Sequence, residues 1–391
     1  MPDGRIISSV RDTVYPRPLD TGAELLAVIT TADGDIIASG EVIPTPAVSE
    51  MPRRTAGLID LQVNGFGGID FNNDELHPDD MEQALSAMLA TGVTTCLPTI
   101  ITASAKELHS RLRALDNAVA GCRLGPLMVP GYHLEGPFLN PEAGYAGCHP
   151  PQYMIAPSID FVRELEYGLS RPILYLTLAP ELENAGSVIS WAAQKGKIVG
   201  AGHCAPSRSD LASAVAQGIR ISTHLGNGVP QTLNRSDNPI LRQLAVDEMK
   251  ASFIADGLHI PPETLKIFIR AKGIERSILV TDAVAAAASS PGRYHLGTMA
   301  VDLDQTGRVR AANGYFLAGS SLRLDRAIAN IVNWGIADFR DALRMTCANP
   351  LTLLKPALEA YGIKVKLGEV HWDACNHPVL VNLGPLTWQA P

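Results

Sequence analysis

The sequence predicts an α/β protein: a (β/α)8 TIM barrel with a small β-sandwich-like domain formed by both chain ends. Three observations predict it. Between residues 55 and 363, short apolar runs alternate with longer stretches of helical periodicity, eight times over; such alternation is the pattern of parallel strands buried on both faces. Polar residues able to do chemistry fall at the C-terminal ends of those runs, the end at which such barrels carry their sites. Residues 1–54 and 364–391 are β-patterned, and neither segment can bury a core alone. No G-x-G-x-x-G follows an early strand, which counts against a doubly wound open sheet.

Taken in order, Leu25–Ile29 and Asp35–Ala38 flank the turn signal Asp33-Gly34 and read as a hairpin. Pro44, Pro46 and Pro52 make a linker unsuited to helix or central strand. The eight expected strands are 56–61, 93–97, 127–133, 173–178, 198–202, 221–224, 251–255 and 277–281. The expected helices between them are 78–89, 104–119, 158–169, 185–194, 209–217, 239–249 and 262–271. In the first, Met81, Ala84, Leu85 and Met88 repeat at helical spacing. Beyond the eighth strand, 294–319 reads as further β-structure, 325–334 and 338–346 as helices before Asn349-Pro350, and 378–383 as a last strand.

The 391 residues carry a formal net charge of -8, which argues against a nucleic-acid partner while leaving a local basic site open to an anionic substrate. Cys96, Cys122, Cys148, Cys204, Cys347 and Cys375 form no C-x-x-C pair and read as reduced thiols of a cytoplasmic protein. No run reaches ~18 apolar residues, so no membrane partner is expected, and the first five residues lack the apolar core of a signal peptide.

The run before His133-Leu134-Glu135-Gly136-Pro137-Phe138 stops at a carboxylate on a turn. A buried carboxylate needs a partner, either a cation side chain or a metal ion. Strand ends elsewhere supply Gln62 and Asn64, His203, His224, His259 and Asp282. Glu with two His suits a divalent transition metal such as Zn²⁺, and three protein ligands leave a place for water, whose pKa the metal lowers to ~7. His133, two residues before Glu135, shares its strand face and reads either as support for the site or as packing. Cys204, beside His203, points to the opposite face and reads as packing, as do Tyr145 and Trp191. His77, His109, His295, His371 and His377 read as surface or structural.

The ordered motifs are Gly57-Leu58-Ile59-Asp60, His133 to Phe138, Ala179-Pro180-Glu181, Gly202-His203, Thr223-His224-Leu225, Asp256-Gly257-Leu258-His259, Leu279 to Ala283, and Leu317-Ala318-Gly319-Ser320. In this order the chain resembles the amidohydrolase superfamily and, within it, the N-acetylglucosamine-6-phosphate deacetylase family. The resemblance implies hydrolytic deacetylation of an amino-sugar phosphate, with metal ligands Glu135, His203 and His224 and Asp282 as catalytic acid/base. It implies substrate contacts from His149, Asn227, Gly228, Arg235, His259, Leu317 and Gly319, His259 also acting on the developing oxyanion, and a homodimer. Most of the superfamily carries H-x-H after the first strand for a second metal. Here those positions are Gln62 and Asn64, so a single divalent ion is expected, Zn²⁺ first, with Fe²⁺ or another ion as alternatives. Asn227-Gly228-Val229 replaces a common Asn-Ala-Met, and the loop Ala143–Cys148 lacks the lysines frequent in relatives. The rival readings are an amidohydrolase of a different N-acyl compound and a non-catalytic sugar-binding barrel. Without the resemblance, Arg235 reads as a surface cation paired with Asp237.

Overall fold

The computed structural model describes residues 53–390 apart from 313 and 315, and before them only the strand segments Arg5–Ile7, Val28–Thr30 and Ile36–Ala38. Eight parallel strands are hydrogen-bonded in chain order: β1 Leu58–Val63, β2 Val93–Ile101, β3 Tyr132–Glu135, β4 Ile173–Leu178, β5 Ile198–Ala201, β6 Ile221–Ser222, β7 Lys250–Ile254 and β8 Ser277–Val280. Every residue of β1 to β6 and of β8 is buried, as expected for strands covered by helices outside and packed side chains inside.

The ring closes between its first and last strands. Asp282 N donates to Gln62 O at 2.9 Å and Asn64 N to Ala283 O at 2.7 Å. Asp60, fully buried in β1, accepts the Thr281 hydroxyl at 2.6 Å and the Thr281 N–H at 3.2 Å. Burial pushes its carboxyl up to about 7 against those bonds.

The helices form where the periodicity places them. Pro78–Leu89 turns Met81, Leu85 and Met88 inward, and Ala105–Gly121 begins with a capping box in which Ser104 and Glu107 bond each other's backbone N–H. The helices expected over 239–249 and 158–169 are shorter, Pro239–Leu244 and Ile159–Glu166, and two further expectations fail. Leu127 and Met128 belong to a helical turn, Gly125–Met128, and the third strand starts only at Tyr132. Pro126 sits in the first turn, where its missing N–H costs nothing, whereas Pro130 cannot donate to a strand ladder. Nor does Asn349-Pro350 end the C-terminal helices. A π turn, Arg344–Ala348, leads into a further helix, Asn349–Ala360, with Pro350 tolerated in its first turn.

The chain ends meet in a five-stranded antiparallel sheet ordered Arg5–Ile7, Leu386–Gln389, Pro378–Leu383, Glu369–Trp372, Arg53–Ala56. Val28–Thr30 pairs antiparallel with Ile36–Ala38. The Asp33-Gly34 turn and Pro44, Pro46 and Pro52 lie outside the described residues. Gly292–Leu296, Met299–Leu303 and Val309–Ala311 form a separate antiparallel sheet beyond β8. All six cysteines are free, and among the described residues no helix is long and apolar enough to cross a membrane.

Candidate active site

At the C-terminal end of the barrel, β3 delivers Glu135, 2% exposed, into a group of imidazoles. His224 Nε2 lies 2.7 Å from Glu135 Oε1, His203 Nε2 3.5 Å from the same oxygen, and His149 Nε2 3.8 Å from Oε2. Donor atoms of Glu135, His149 and His203 all lie within 4.8 Å of one another, a spacing that could hold a metal ion. Two of the ligands implied by the resemblance, Glu135 and His203, lie in that group with His149 as its third member, and His224 adjoins it through its bond to Glu135.

The imidazoles are oriented from behind. His203 Nδ1 bonds the Tyr145 carbonyl at 2.7 Å and His149 Nδ1 the Thr102 hydroxyl at 2.9 Å, which leaves both Nε2 atoms facing the carboxylate. His224 Nδ1 is buried and has no partner among the described residues. One carboxylate and three buried imidazoles, one with an orphaned nitrogen, are a donor set that fits a divalent transition metal. Burial alone would raise the Glu135 carboxyl, but its bonds to His203 and His224 hold it well below the usual range. Burial, reinforced by the charge of His203, pushes His149 down to about 3, so this ring is neutral and free to donate a lone pair.

His203, His224 and Asp282 sit just past β5, β6 and β8 with φ of 50°, 33° and 47°. Non-glycine residues seldom adopt this left-handed backbone, and such strain concentrates at functional sites. Gly228, itself at φ 62°, lies flat on the His203 ring, where a Cβ would stand 2.7 Å from Nδ1; on Gly147 it would stand 3.0 Å from Cε1. Glycine is therefore required on both sides of that imidazole.

Asp282 faces the cluster from β8. Its Oδ1 accepts Asn64 Nδ2 at 2.8 Å and Gln62 Nε2 at 3.2 Å, so both amides donate to the acid, while their own oxygens are buried without a partner among the described residues. Burial and the Glu135 charge push the Asp282 carboxyl up to about 6 against the pull of His224, His259 and the Asn64 bond. His259 is tied through Nδ1 to Asp256 Oδ2 at 2.6 Å. Asp256 also accepts the backbone N–H of Leu258 and His259. Burial raises the Asp256 carboxyl, yet the His259 bond and charge bring it below its ordinary value.

The remaining residues scatter more widely. Asn227 caps the turn by donating to His224 O at 3.1 Å. Gly319 has φ 66° and stacks on Val284, beside Ser320, whose N–H bonds Asp282 O at 2.9 Å. Leu317 pairs with Arg310. Arg235 is exposed and, among the described residues, has no ion-pair partner; Asp237 belongs to Arg242 at 2.9 Å. Cys204 is buried in the core. Asp256, Thr102 and Asp60 have no role in the sequence reading, and Tyr145, expected to pack, acts through its backbone carbonyl. Asp256 was visible inside a quoted motif three residues before His259, whereas nothing local marks Thr102 or the Tyr145 carbonyl.

No family model matches the chain. It is 31% identical over 312 residues to N-acetylglucosamine-6-phosphate deacetylase of Caenorhabditis elegans, spanning 76% of this chain and 73% of that one. Identity to the enzyme of that name from Danio rerio is 32% over 313 residues, spanning 76% and 74%. The chain belongs to the N-acetylglucosamine-6-phosphate deacetylase family of amidohydrolases. It is also 31% identical over 326 residues to N-acetylgalactosamine-6-phosphate deacetylase of Escherichia coli O157:H7, spanning 83% and 84%. Among solved structures, N-acetyl-D-glucosamine-6-phosphate deacetylase of Mycobacterium smegmatis superposes with a TM-score of 0.74 at 26% identity, covering 88% of this chain and 92% of that one. The Pasteurella multocida enzyme, at 24% identity and a TM-score of 0.75 over 94% and 98%, shares the fold.

Proposed function

We propose that the protein hydrolyses N-acetylglucosamine 6-phosphate to glucosamine 6-phosphate and acetate, in amino-sugar breakdown, with one divalent ion per chain held by Glu135, His203 and His224. The observation that carries this reading is the buried carboxylate among three imidazoles, faced by a second carboxylate with the opposite protonation tendency. Bound there, the ion supplies a Lewis acid and a hydroxide at neutral pH. Zn²⁺ is the first choice for these donors and Fe²⁺ the next.

Asp282 is placed to take the proton of the attacking water and to return it to the leaving amine, and its raised carboxyl suits both tasks. His259, its Nδ1–H held by the Asp256 carboxylate, would meet the developing oxyanion as an imidazolium, the form in which Nε2 also donates. The forked, permanently charged guanidinium of Arg235 suits the phosphate. His149, Asn227, Gly228, Leu317 and Gly319 line the place of the sugar. The sheet of both chain ends, Arg5–Ile7 and Arg53–Ala56 with Glu369–Trp372, Pro378–Leu383 and Leu386–Gln389, is the small β-domain and the chain between is the hydrolase barrel, in a cytoplasmic homodimer.

The test is acetate release from N-acetylglucosamine 6-phosphate, its galactose epimer and the unphosphorylated sugars, with ion content measured on the dialysed protein. We expect the first substrate to lead and an ion-to-chain ratio near one. Preference for an unphosphorylated sugar would remove phosphate from the function, preference for the epimer would move the protein toward its galactosamine relative, and a stable ratio near two would refute the role given to Gln62 and Asn64.

A further inference from the structure

Beneath the ion cluster the barrel interior holds a polar layer that the reaction does not use directly. His133, two residues before Glu135 on β3, is fully buried and stacks on Tyr175 with ring centroids 3.9 Å apart. Its Nε2 lies 2.8 Å from the Thr177 hydroxyl and its Nδ1 3.3 Å from that of Thr99. The Thr177 oxygen is 2.9 Å from that of Thr223, which is 2.6 Å from the Tyr175 hydroxyl. The chain therefore crosses from β2 through β3 and β4 to the residue preceding His224.

Each hydroxyl has one proton, so the direction can be followed from the Thr99 end. Thr99 donates to Leu97 O, so it accepts from His133 Nδ1–H. His133 Nε2 then accepts from Thr177, Thr177 from Thr223, and Thr223 from Tyr175. Tyr175 also bonds the Thr177 hydroxyl, so the sense of the chain is set at its Thr99 end. Space for the layer comes from β5 and its end: a Cβ on Gly200 would stand 2.6 Å from Thr223 Oγ1 and 2.7 Å from Tyr175 Oη, and one on Gly202 2.6 Å from Thr177 Cγ2.

We propose that His133, as the neutral Nδ1–H tautomer, is a positioning residue that pins Thr223 through Thr177 and thereby sets the strained backbone of His224 against Glu135. Thr177 ties the same unit to the carboxylate a second way, because its carbonyl accepts the Gly136 N–H at 3.1 Å. The inference rests on reading Glu135, His203 and His224 as ion ligands.

Three variants separate this role from plain packing. His133→Phe keeps the stack on Tyr175 and removes both bonds. Thr177→Val keeps the shape and breaks the chain at its centre. His133→Gln can still accept from Thr177 and donate to Thr99. Zn²⁺ affinity by chelator competition, kcat and KM for acetate release, and the thermal midpoint are measured on each, with ¹⁵N shifts of His133 in the wild type. We expect the first two variants to weaken Zn²⁺ binding by roughly tenfold or more and to lower kcat with little change in KM. The double variant should be no worse than the poorer single, since both break one unit, and His133→Gln should recover most of the loss. Should His133→Phe not fold, Thr177→Val decides by the same readouts. Variants that lose thermal stability yet hold Zn²⁺ and turn over like the wild type would overturn the role, as would an Nε2–H tautomer. Wild-type protein that holds no ion would overturn the ligand reading itself, and this role with it.

Discussion

Glu135 and Asp282 carry the same functional group at two strand ends of one barrel, and their surroundings drive them apart. Glu135 ends β3 among imidazoles that bond its oxygens, and stays ionised despite being 2% exposed. Asp282 follows β8 between two neutral amides and within reach of the Glu135 charge, and its carboxyl rises to about 6. Burial is common to both, so it cannot account for the difference; the neighbours do. One carboxylate is thereby suited to hold a cation, and the other to carry a proton back and forth near neutrality, a division of labour recognisable from the separation of their titrations.

The strongest way to break the comparison is Glu135→Gln. It removes the charge bonded to His203 and His224 and should empty the ion site, with turnover down roughly 10³-fold or more, since the lost ion would stabilise several kcal/mol of developing charge. Metal analysis alongside kcat checks it, and a variant that keeps its ion would show that the imidazoles suffice. Asp282→Asn should do the reverse: ion content nearly unchanged, turnover down roughly 10²-fold or more. Comparable loss of the ion in both variants would make Asp282 a ligand rather than a base.

Arg235 lies outside both environments. Arg235→Ala should cost about 1.5–3 kcal/mol of charge-assisted bonding to phosphate, roughly 10- to 10²-fold in kcat/KM on the phosphorylated sugar. Loss of the same size on the unphosphorylated sugar would assign it to the fold instead. The smallest effect is expected from Asn64→Ala. As a base, Asp282 must be ionised, so activity should fall as pH drops through about 6. The Asn64 bond favours the ionised form, so its removal should move that acid limb to higher pH. A limb that stays in place, or moves down, would dissociate it from Asp282.

Much of this site was legible because the chemistry sits at strand ends, where apolar runs stop on a polar residue. Pro78–Leu89, Ile173–Leu178, Ala185–Gln194 and Pro378–Leu383 have the bounds that periodicity indicates. What stayed hidden depends on distant contacts. Gln62 and Asn64 read as an empty metal position, but only the closure of β1 on β8 turns them into donors to Asp282. The Tyr145 carbonyl and the Thr102 hydroxyl orient His203 and His149 across 58 and 47 positions of sequence. His133 is ambiguous in sequence for a similar reason: its value depends on hydroxyls from two other strands and on Thr223, just past a third. The Gly125–Met128 turn was missed because apolar composition alone does not distinguish a short buried helix from a strand.

The sheet formed by the chain ends has a consequence in time. Arg53–Ala56 has a single partner in that sheet, Glu369–Trp372, with Ala56 opposite Glu369. At about 5–20 residues per second, a ribosome needs roughly 15–60 s to travel from the first strand to the second. Throughout that interval the earlier strand presents an unpaired edge, open to other chains, while the segments for all eight barrel strands are already emerging. The barrel can therefore close before its neighbouring sheet can. The barrel end that carries Glu135 and its imidazoles can then be assembled while the N-terminal edge is still waiting, and at that stage a chaperone would be of most use.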